Sequence, residues 1–108
     1  MAISGTRAVG KNYTDLAVDA NTASTTTILP MGNAQYASLF VIAASGAHTT
    51  HVITIQISGD GTNWEDTSLT ITGTGKIIGV LCITAFIRAK VTTPEGGAST
   101  VDIILVIK

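Results

Sequence analysis

The sequence has little charge, few aromatic side chains and no long apolar run. Charged residues make up 12% of its 108 residues, about half of the usual ~25%, and Lys and Arg together number six. Nucleic-acid-binding proteins usually concentrate basic residues on one face, so this composition predicts no nucleic-acid partner. No apolar run approaches the ~20 residues that cross a bilayer, and the N-terminus lacks the apolar stretch of a signal peptide. We therefore expect a protein made in the cytoplasm of its host, without a membrane partner.

Cysteine is almost absent as well. The single Cys82 excludes an internal disulfide. It lies in the apolar stretch 77–83 with no basic neighbour in sequence that would activate a thiol. Cysteine in such surroundings behaves as a small apolar residue, so we expect Cys82 to pack in the core.

The residues that are abundant, namely Thr, Ser, Gly, Ala and the branched aliphatics, are typical of pleated sheet with short turns. Eight segments carry strand signals: 13–18, 25–29, 36–44, 51–58, 67–72, 77–83 with a kink at Gly79, 87–92, and 101–108. This regular spacing predicts an all-β fold, an antiparallel two-sheet β-sandwich of seven or eight strands, either Ig-like or jelly-roll-like. It forms one domain, residues 13–108. Residues 1–12 have no strand period and predict an extended N-terminal arm.

The clearest turn is the run 58–64, which reads SGDGTNW. Asp-Gly and Thr-Asn supply the backbone freedom and the local hydrogen bonds that a chain reversal needs. Trp64 follows at the start of the next strand, where a large ring can fold back over the sheet. We interpret two other loops, 48–51 and 73–76, as hairpin turns; the latter lacks the spacing of a phosphate-binding loop.

Few residues are candidates for chemistry. His48 and His51 have a spacing that some zinc sites use, but no Cys, Asp or Glu is near them in sequence. Asp60 and the acidic residues after it lack the alternating ligands of a calcium loop. Nucleophilic catalysis would have to rely on the two loop histidines as bases. The sequence therefore predicts no enzyme activity, no metal site and no cofactor.

Several strands are apolar on both faces, although an isolated sandwich needs only one apolar face. The examples are residues 39–42, residues 77–83, and Ile104 with Val106 in the last strand. Soluble monomers rarely expose large apolar patches. We therefore expect a homo-oligomer whose subunits cover these faces; the alternative is that the N-terminal segment of the same chain covers them.

The run 55–64, followed by residues 85–91 (AFIRAKV) and a closing apolar strand, resembles the small β-sandwich modules of tailed-bacteriophage structural proteins. The resemblance covers residues 52–108, about half of the chain. In such modules an S-x-DGTNW hairpin precedes an aromatic-φ-Arg-x-Lys-Val strand. The resemblance implies a structural virion protein without enzyme activity.

Among such proteins the chain is most similar to head decoration (cement) proteins. This implies an oligomer, with a trimer favoured, on the capsid surface, and the major capsid protein or another virion protein as partner. The arm, with Arg7 and Lys11, is then the expected capsid contact, because it has no fold of its own. Two alternatives stay open: a carbohydrate or cell-surface recognition module that uses Trp64 and Tyr36, and a tail-tube or connector subunit.

Overall fold

A computed structural model describes residues 11–108 as two four-stranded antiparallel sheets packed face to face, which confirms the predicted β-sandwich. The strands are β1 (Lys11–Asp19), β2 (Leu29–Pro30), β3 (Tyr36–Gly46), β4 (Val52–Ser58), β5 (Glu65–Thr72), β6 (Gly75–Leu81), β7 (Phe86–Thr93) and β8 (Ser99–Ile107). Each corresponds to a predicted segment. The second is much shorter than predicted, because Thr25 forms only an isolated bridge with Lys90. No helix long and apolar enough to cross a membrane occurs within this range.

The strand order identifies the sandwich as a jelly roll. The first sheet has the order β1-β8-β3-β6, and the second has the order β2-β7-β4-β5. The pairs β1 with β8, β2 with β7, β3 with β6 and β4 with β5 describe one long hairpin rolled into two sheets, which is the arrangement of a jelly roll. The sequence left an Ig-like and a jelly-roll-like architecture open, and the structure is the jelly roll.

The core lies between the two sheets and is built by the alternation of inward and outward side chains along the strands. Ile103, Leu105 and Ile107 of β8 face Ile53 and Ile55 of β4 across it, and all five are buried. Alternate side chains of a strand point to opposite faces, so every second residue enters the core. Cys82 is also buried in this cluster, where burial raises the pKa of its thiol. Its predicted role as an apolar packing residue is confirmed.

The two loops interpreted as hairpins are crossovers instead. Residues 47–51 connect β3 in the first sheet to β4 in the second, and residues 73–74 return the chain from β5 to β6. The hairpin interpretation was wrong because local turn signals do not reveal which partner the next strand will choose. The run 58–64, in contrast, does join two paired strands, β4 and β5.

The first strand begins earlier than predicted. Lys11 and Asn12, assigned to the arm, pair with Ile107 and Val106 of β8. The rest of the predicted arm, including Arg7, lies outside the described residues. At the other edge of the same sheet, the kink predicted at Gly79 is present: its φ is +61°, and its N–H donates to Ser38 Oγ at 2.8 Å.

Candidate interaction surfaces

The outer face of the first sheet is apolar. Leu39 and Val41 of β3 point into the core, so the residues between and beside them point away from it. The outward apolar side chains are Tyr36, Phe40 and Ile42 on β3, Ile104 and Val106 on β8, and Ile78 and Leu81 on β6. We call this set the apolar face. Ile78 is 63% exposed, Leu81 59%, Tyr36 49% and Ile42 48%.

Strand register brings these side chains into one continuous surface. Phe40 lies opposite Ile104 on one side and opposite Lys76 on the other, and Tyr36 lies opposite Leu81. Ile42 lies opposite Asp102, whose Oδ1 accepts the Ala17 N–H at 2.9 Å. The strands predicted from sequence to be apolar on both sides therefore do carry an outer apolar surface, and the described part of the chain leaves it exposed.

The outer face of the second sheet is polar, and its side chains bond to one another. We call it the polar face. Its central strand β4 directs Thr54, Gln56 and Ser58 outward, yet all three are buried beneath the side chains of the flanking strands. Thr54 Oγ1 lies 2.8 Å from Thr92 Oγ1 of β7. The hydrogen-bonding groups of this face are thus largely satisfied within the sheet.

Trp64 belongs to the polar face and is half-buried there. The Arg88 guanidinium carbon stands 4.2 Å from the centre of the Trp64 ring, a cation–π arrangement. Arg88 Nε donates to Gln56 Oε1 at 2.8 Å, and Gln56 Nε2 donates to Asp66 Oδ1 at 2.6 Å. One ring face of Trp64 is therefore occupied by a side chain that is itself held in place.

The two aromatic residues proposed for a glycan site are not brought together. Tyr36 lies on the apolar face of the first sheet, whereas Trp64 lies on the polar face of the second. A glycan site that uses both in one protomer is therefore excluded by the fold. A site on Trp64 alone would use the edge of the ring and the ring face that Arg88 does not cover.

The loop that precedes Trp64 is organised by one carboxylate. Asp60 Oδ1 accepts the N–H groups of Thr62 and Asn63, each at 2.8 Å, and Oδ2 accepts the Asn63 side-chain amide at 2.8 Å. Hydrogen bonds from the N–H groups of Asn63 and Thr62 hold the pKa of Asp60 well below its usual range. Ser58 Oγ also accepts the Gly61 N–H at 2.8 Å. The structure confirms the turn-forming role predicted for Asp60 and Asn63.

His51 forms a buried pair with Glu95. Glu95 Oε1 accepts the backbone N–H groups of Thr49, Thr50 and His51, each at 3.1 Å, and lies 3.0 Å from His51 Nδ1. Glu95 Oε2 accepts the two threonine hydroxyls. Although burial by itself would raise the pKa of Glu95, the hydrogen bonds from Thr50 and His51 lower it to about 2. The carboxylate thus ties the loop before β4 to the loop before β8.

The His51 ring is held at both of its nitrogens. Its Nε2 lies 2.7 Å from the carbonyl oxygen of Gly73, and its Nδ1 lies 3.0 Å from Glu95 Oε1. The buried ring is thus fixed between the loop before β8 and the loop after β5. His48 packs edge-on against it, with ring centres 5.5 Å apart, and bonds to Ser99 through Nδ1.

The histidines do not form a metal cluster. Residues 11–108 contain no group of three or more His, Cys, Asp or Glu side chains that could hold an ion. His51 is committed to its two partners, which makes its role structural. Sequence reasoning missed Glu95, which lies 44 positions from His51; no local signal pairs them, because only the jelly-roll topology makes their loops neighbours.

Of the two residues proposed to contact a capsid, Arg7 lies outside the described residues. Lys11 begins β1 at the edge of the first sheet and is exposed. Its backbone is committed to β8, but its side chain is available to a partner.

No protein-family model matches the chain, and no curated protein matches it. Solved structures do. The crystal structure of the PBSX exported protein XepA matches 98% of this chain with a TM-score of 0.62 and 13% sequence identity, and the chain spans 38% of its length. The crystal structure of the SPBc2 prophage-derived protein YomS matches 98% of both chains with a TM-score of 0.55 and 16% identity. The predicted resemblance to phage proteins is therefore confirmed at the level of the fold.

Proposed function

We propose that this chain is a structural protein of a phage virion without enzyme activity, and specifically a decoration protein that binds the assembled capsid as an oligomer and stabilises it. The observation that carries the proposal is the contrast between the two outer faces. One face has its polar groups bonded among themselves, and the other offers Tyr36, Ile42, Ile78 and Leu81 to a neighbour. Such a domain is built to pack against protein.

The fold supports the same function. Eight-stranded jelly rolls recur in viral capsid domains and in lectins. The two solved structures that the chain resembles come from proteins whose names state a prophage or PBSX origin. A shell protein needs a rigid domain with faces for its neighbours, and the buried pair of His51 and Glu95, with the Asp60 loop, gives this sandwich fixed connections at its ends.

The mechanism is mass action. A protein that binds the assembled, expanded shell and not its dissociated subunits stabilises the shell by the free energy of binding. An oligomer that contacts several capsid subunits at once adds avidity, because each further contact forms at a high effective concentration. The proposed capsid contacts are the N-terminal segment with Arg7, and Lys11 beside it on β1. A trimer would suit a threefold position of the shell.

The test is cosedimentation of the purified protein with expanded shells that lack decoration. We expect stoichiometric binding and a higher melting temperature of the shells. A variant that lacks residues 1–10 keeps β1 intact, so it should fold normally and lose most of the binding. Binding at full strength by this truncated variant would refute the role of the segment, and failure of the full-length protein to bind any shell form would refute the decoration proposal.

Trp64 favours a second candidate, the recognition of a glycan. The ring is half-buried on a polar face beside Arg88, Gln56 and Asp66, and aromatic rings with polar neighbours can stack on sugars. Titration with oligosaccharides, followed by the emission of this single Trp, discriminates the two functions. Saturable quenching would support glycan recognition, whereas unchanged emission across a broad panel would leave the capsid proposal as the better account.

A further inference from the structure

We infer that the apolar face is covered by a second copy of this chain, and that this contact is the core of the protein's oligomer. This inference goes beyond the decoration proposal, because it names the surface through which the copies of the chain associate. That association does not depend on which virion component the protein binds. The face consists of outward side chains from three adjacent strands, β3, β6 and β8. The inference depends on the size of this face, on its charges and on the stage at which it must be covered.

The size of the face fits one half of a protein interface. Its four most exposed side chains, Tyr36, Ile42, Ile78 and Leu81, are between 48% and 63% exposed. With the half-buried Phe40, Ile104 and Val106 between them, they form one continuous apolar patch across three adjacent strands. A standard interface takes roughly 800 Å² from each partner and has an apolar centre within a polar rim, so this face fits the centre of such an interface.

The charges of the face suit a copy of itself. Three charged side chains lie at its margins: Lys76 opposite Phe40 on β6, Asp102 opposite Ile42 on β8, and the exposed Lys108, whose backbone pairs with Tyr36 just beyond the end of β8. Both signs are therefore present. A second copy brings the same three charges, so a contact between copies can place Lys76 or Lys108 opposite Asp102. The face therefore does not require a partner of one strong sign.

The stage at which the face must be covered favours self-association over a capsid protein. An apolar surface of this size is an aggregation hazard from the moment the chain folds. A shell that binds the protein only after assembly cannot cover the surface during that time. Every folded molecule, in contrast, meets other copies of itself, and most soluble oligomers are homo-oligomers.

The contact is tested by native mass. Light scattering coupled to size exclusion should give an oligomer for the wild-type protein across a tenfold range of concentration. The variant I78K places a charge at the most exposed position of the face and should shift the mass to that of a monomer. The matched control is I28K, because Ile28 is 43% exposed but lies beside β2, away from this face. I28K should keep the wild-type mass.

Circular dichroism and the emission of Trp64 establish that both variants remain folded. A wild-type monomer at all concentrations overturns the inference, as does a folded I78K variant that keeps the wild-type oligomer. If I78K misfolds, Tyr36→Lys provides a second substitution on the same face with the same expected monomer. The shell-binding assay separates this inference from the decoration proposal. An oligomer that binds no shell refutes the decoration proposal and leaves this inference standing. A monomer that binds shells refutes this inference and, of the decoration proposal, only the statement that the protein binds as an oligomer.

Discussion

The two sheets share one inner core but differ on their outer faces. On the first sheet the outward residues of the inner strand β3 include Phe40 and Ile42, and on the second sheet those of the inner strand β4 are Thr54, Gln56 and Ser58. Both inner strands have fully apolar inward residues. The difference therefore lies entirely in the second set of alternate positions, which are not needed to form the sandwich.

This contrast separates folding from association. An outward polar residue in a central strand can be satisfied by its neighbours, as Gln56 is by Arg88 and Asp66. An outward apolar residue such as Ile42 gains much less from the fold itself, because residues 11–108 leave it 48% exposed. The first sheet thus has apolar side chains on both of its sides, and the second mainly on its inner side.

The largest expected effect compares the two sides of one strand. Ile103 and Ile104 are neighbours in β8, the first buried in the core and the second half-buried on the apolar face. I103A should lower the free energy of unfolding by about 2–5 kcal/mol, because it leaves a cavity between the sheets. I104A should cost about 1 kcal/mol or less, because solvent can occupy the vacated space.

Urea denaturation of both variants measures this difference. It is best made in the I78K background, where we expect a monomer with an uncovered outer face. A loss for I104A equal to that for I103A in that background would contradict the one-sided core.

A second effect concerns the link between the two sheets. The Glu95 carboxylate bonds to the loop that enters β4, so E95Q should lower the melting temperature at pH 7, because a side-chain amide has one acceptor oxygen and cannot accept all the hydrogen bonds that the carboxylate receives. The pKa of Glu95 is lowered from 4.5 to about 2 in the folded chain. Its stabilising contribution is therefore complete above pH 4.5 and is lost as the pH falls toward 2.

The difference in stability between the wild-type protein and E95Q should accordingly shrink over this range of pH. Unfolding curves at pH 7, 4.5 and 2.5 measure it. The matched control is E65Q, because Glu65 is exposed on β5, and it should follow the wild-type protein at every pH. A constant difference between the wild-type protein and E95Q from pH 7 to 2.5 would contradict this role of the carboxylate.

The smallest expected loss of stability comes from a substitution on the polar face. R88A removes the cation that stacks on Trp64 and leaves the buried Gln56 oxygen without its donor. We expect a loss of about 1–2 kcal/mol and a red shift of Trp64 emission as the ring gains solvent. K90A, on the same strand and the same face, should change stability by no more than about 0.5 kcal/mol and leave the emission unchanged. An unshifted emission in R88A would mean that Arg88 does not shield the ring.

Much of the fold could be predicted from local patterns. Alternation located the eight strands, the kink at Gly79 and the β4–β5 turn around Asp60, because each depends on residues close together in the chain. The partners of the strands could not be predicted in this way. The loops 48–51 and 73–76 carry ordinary turn residues, and nothing in them states that the chain crosses to the other sheet.

The candidate surfaces show the same difference between features that depend on neighbouring residues and features that depend on long-range contacts. The sequence indicated that residues 39–42, residues 77–83, and Ile104 with Val106 were apolar on both sides, and this surface is present. It gave no indication that Trp64 would stack on Arg88 or that Tyr36 would lie on the opposite side of the molecule. Glu95 could not be paired with His51, because their contact depends on two loops that are distant in sequence.

Side-chain alternation is a property of each strand alone, so the order of residues was enough to locate the strands and their apolar faces. Which strands pair, and therefore which apolar positions enter the core, was set only when the chain folded. Strand pairing depends on long-range hydrogen bonds and shared burial, as between β1 and β8, which come from opposite ends of the described chain. Only that pairing turns Phe40, Ile104 and Ile78, from three separate strands, into one surface.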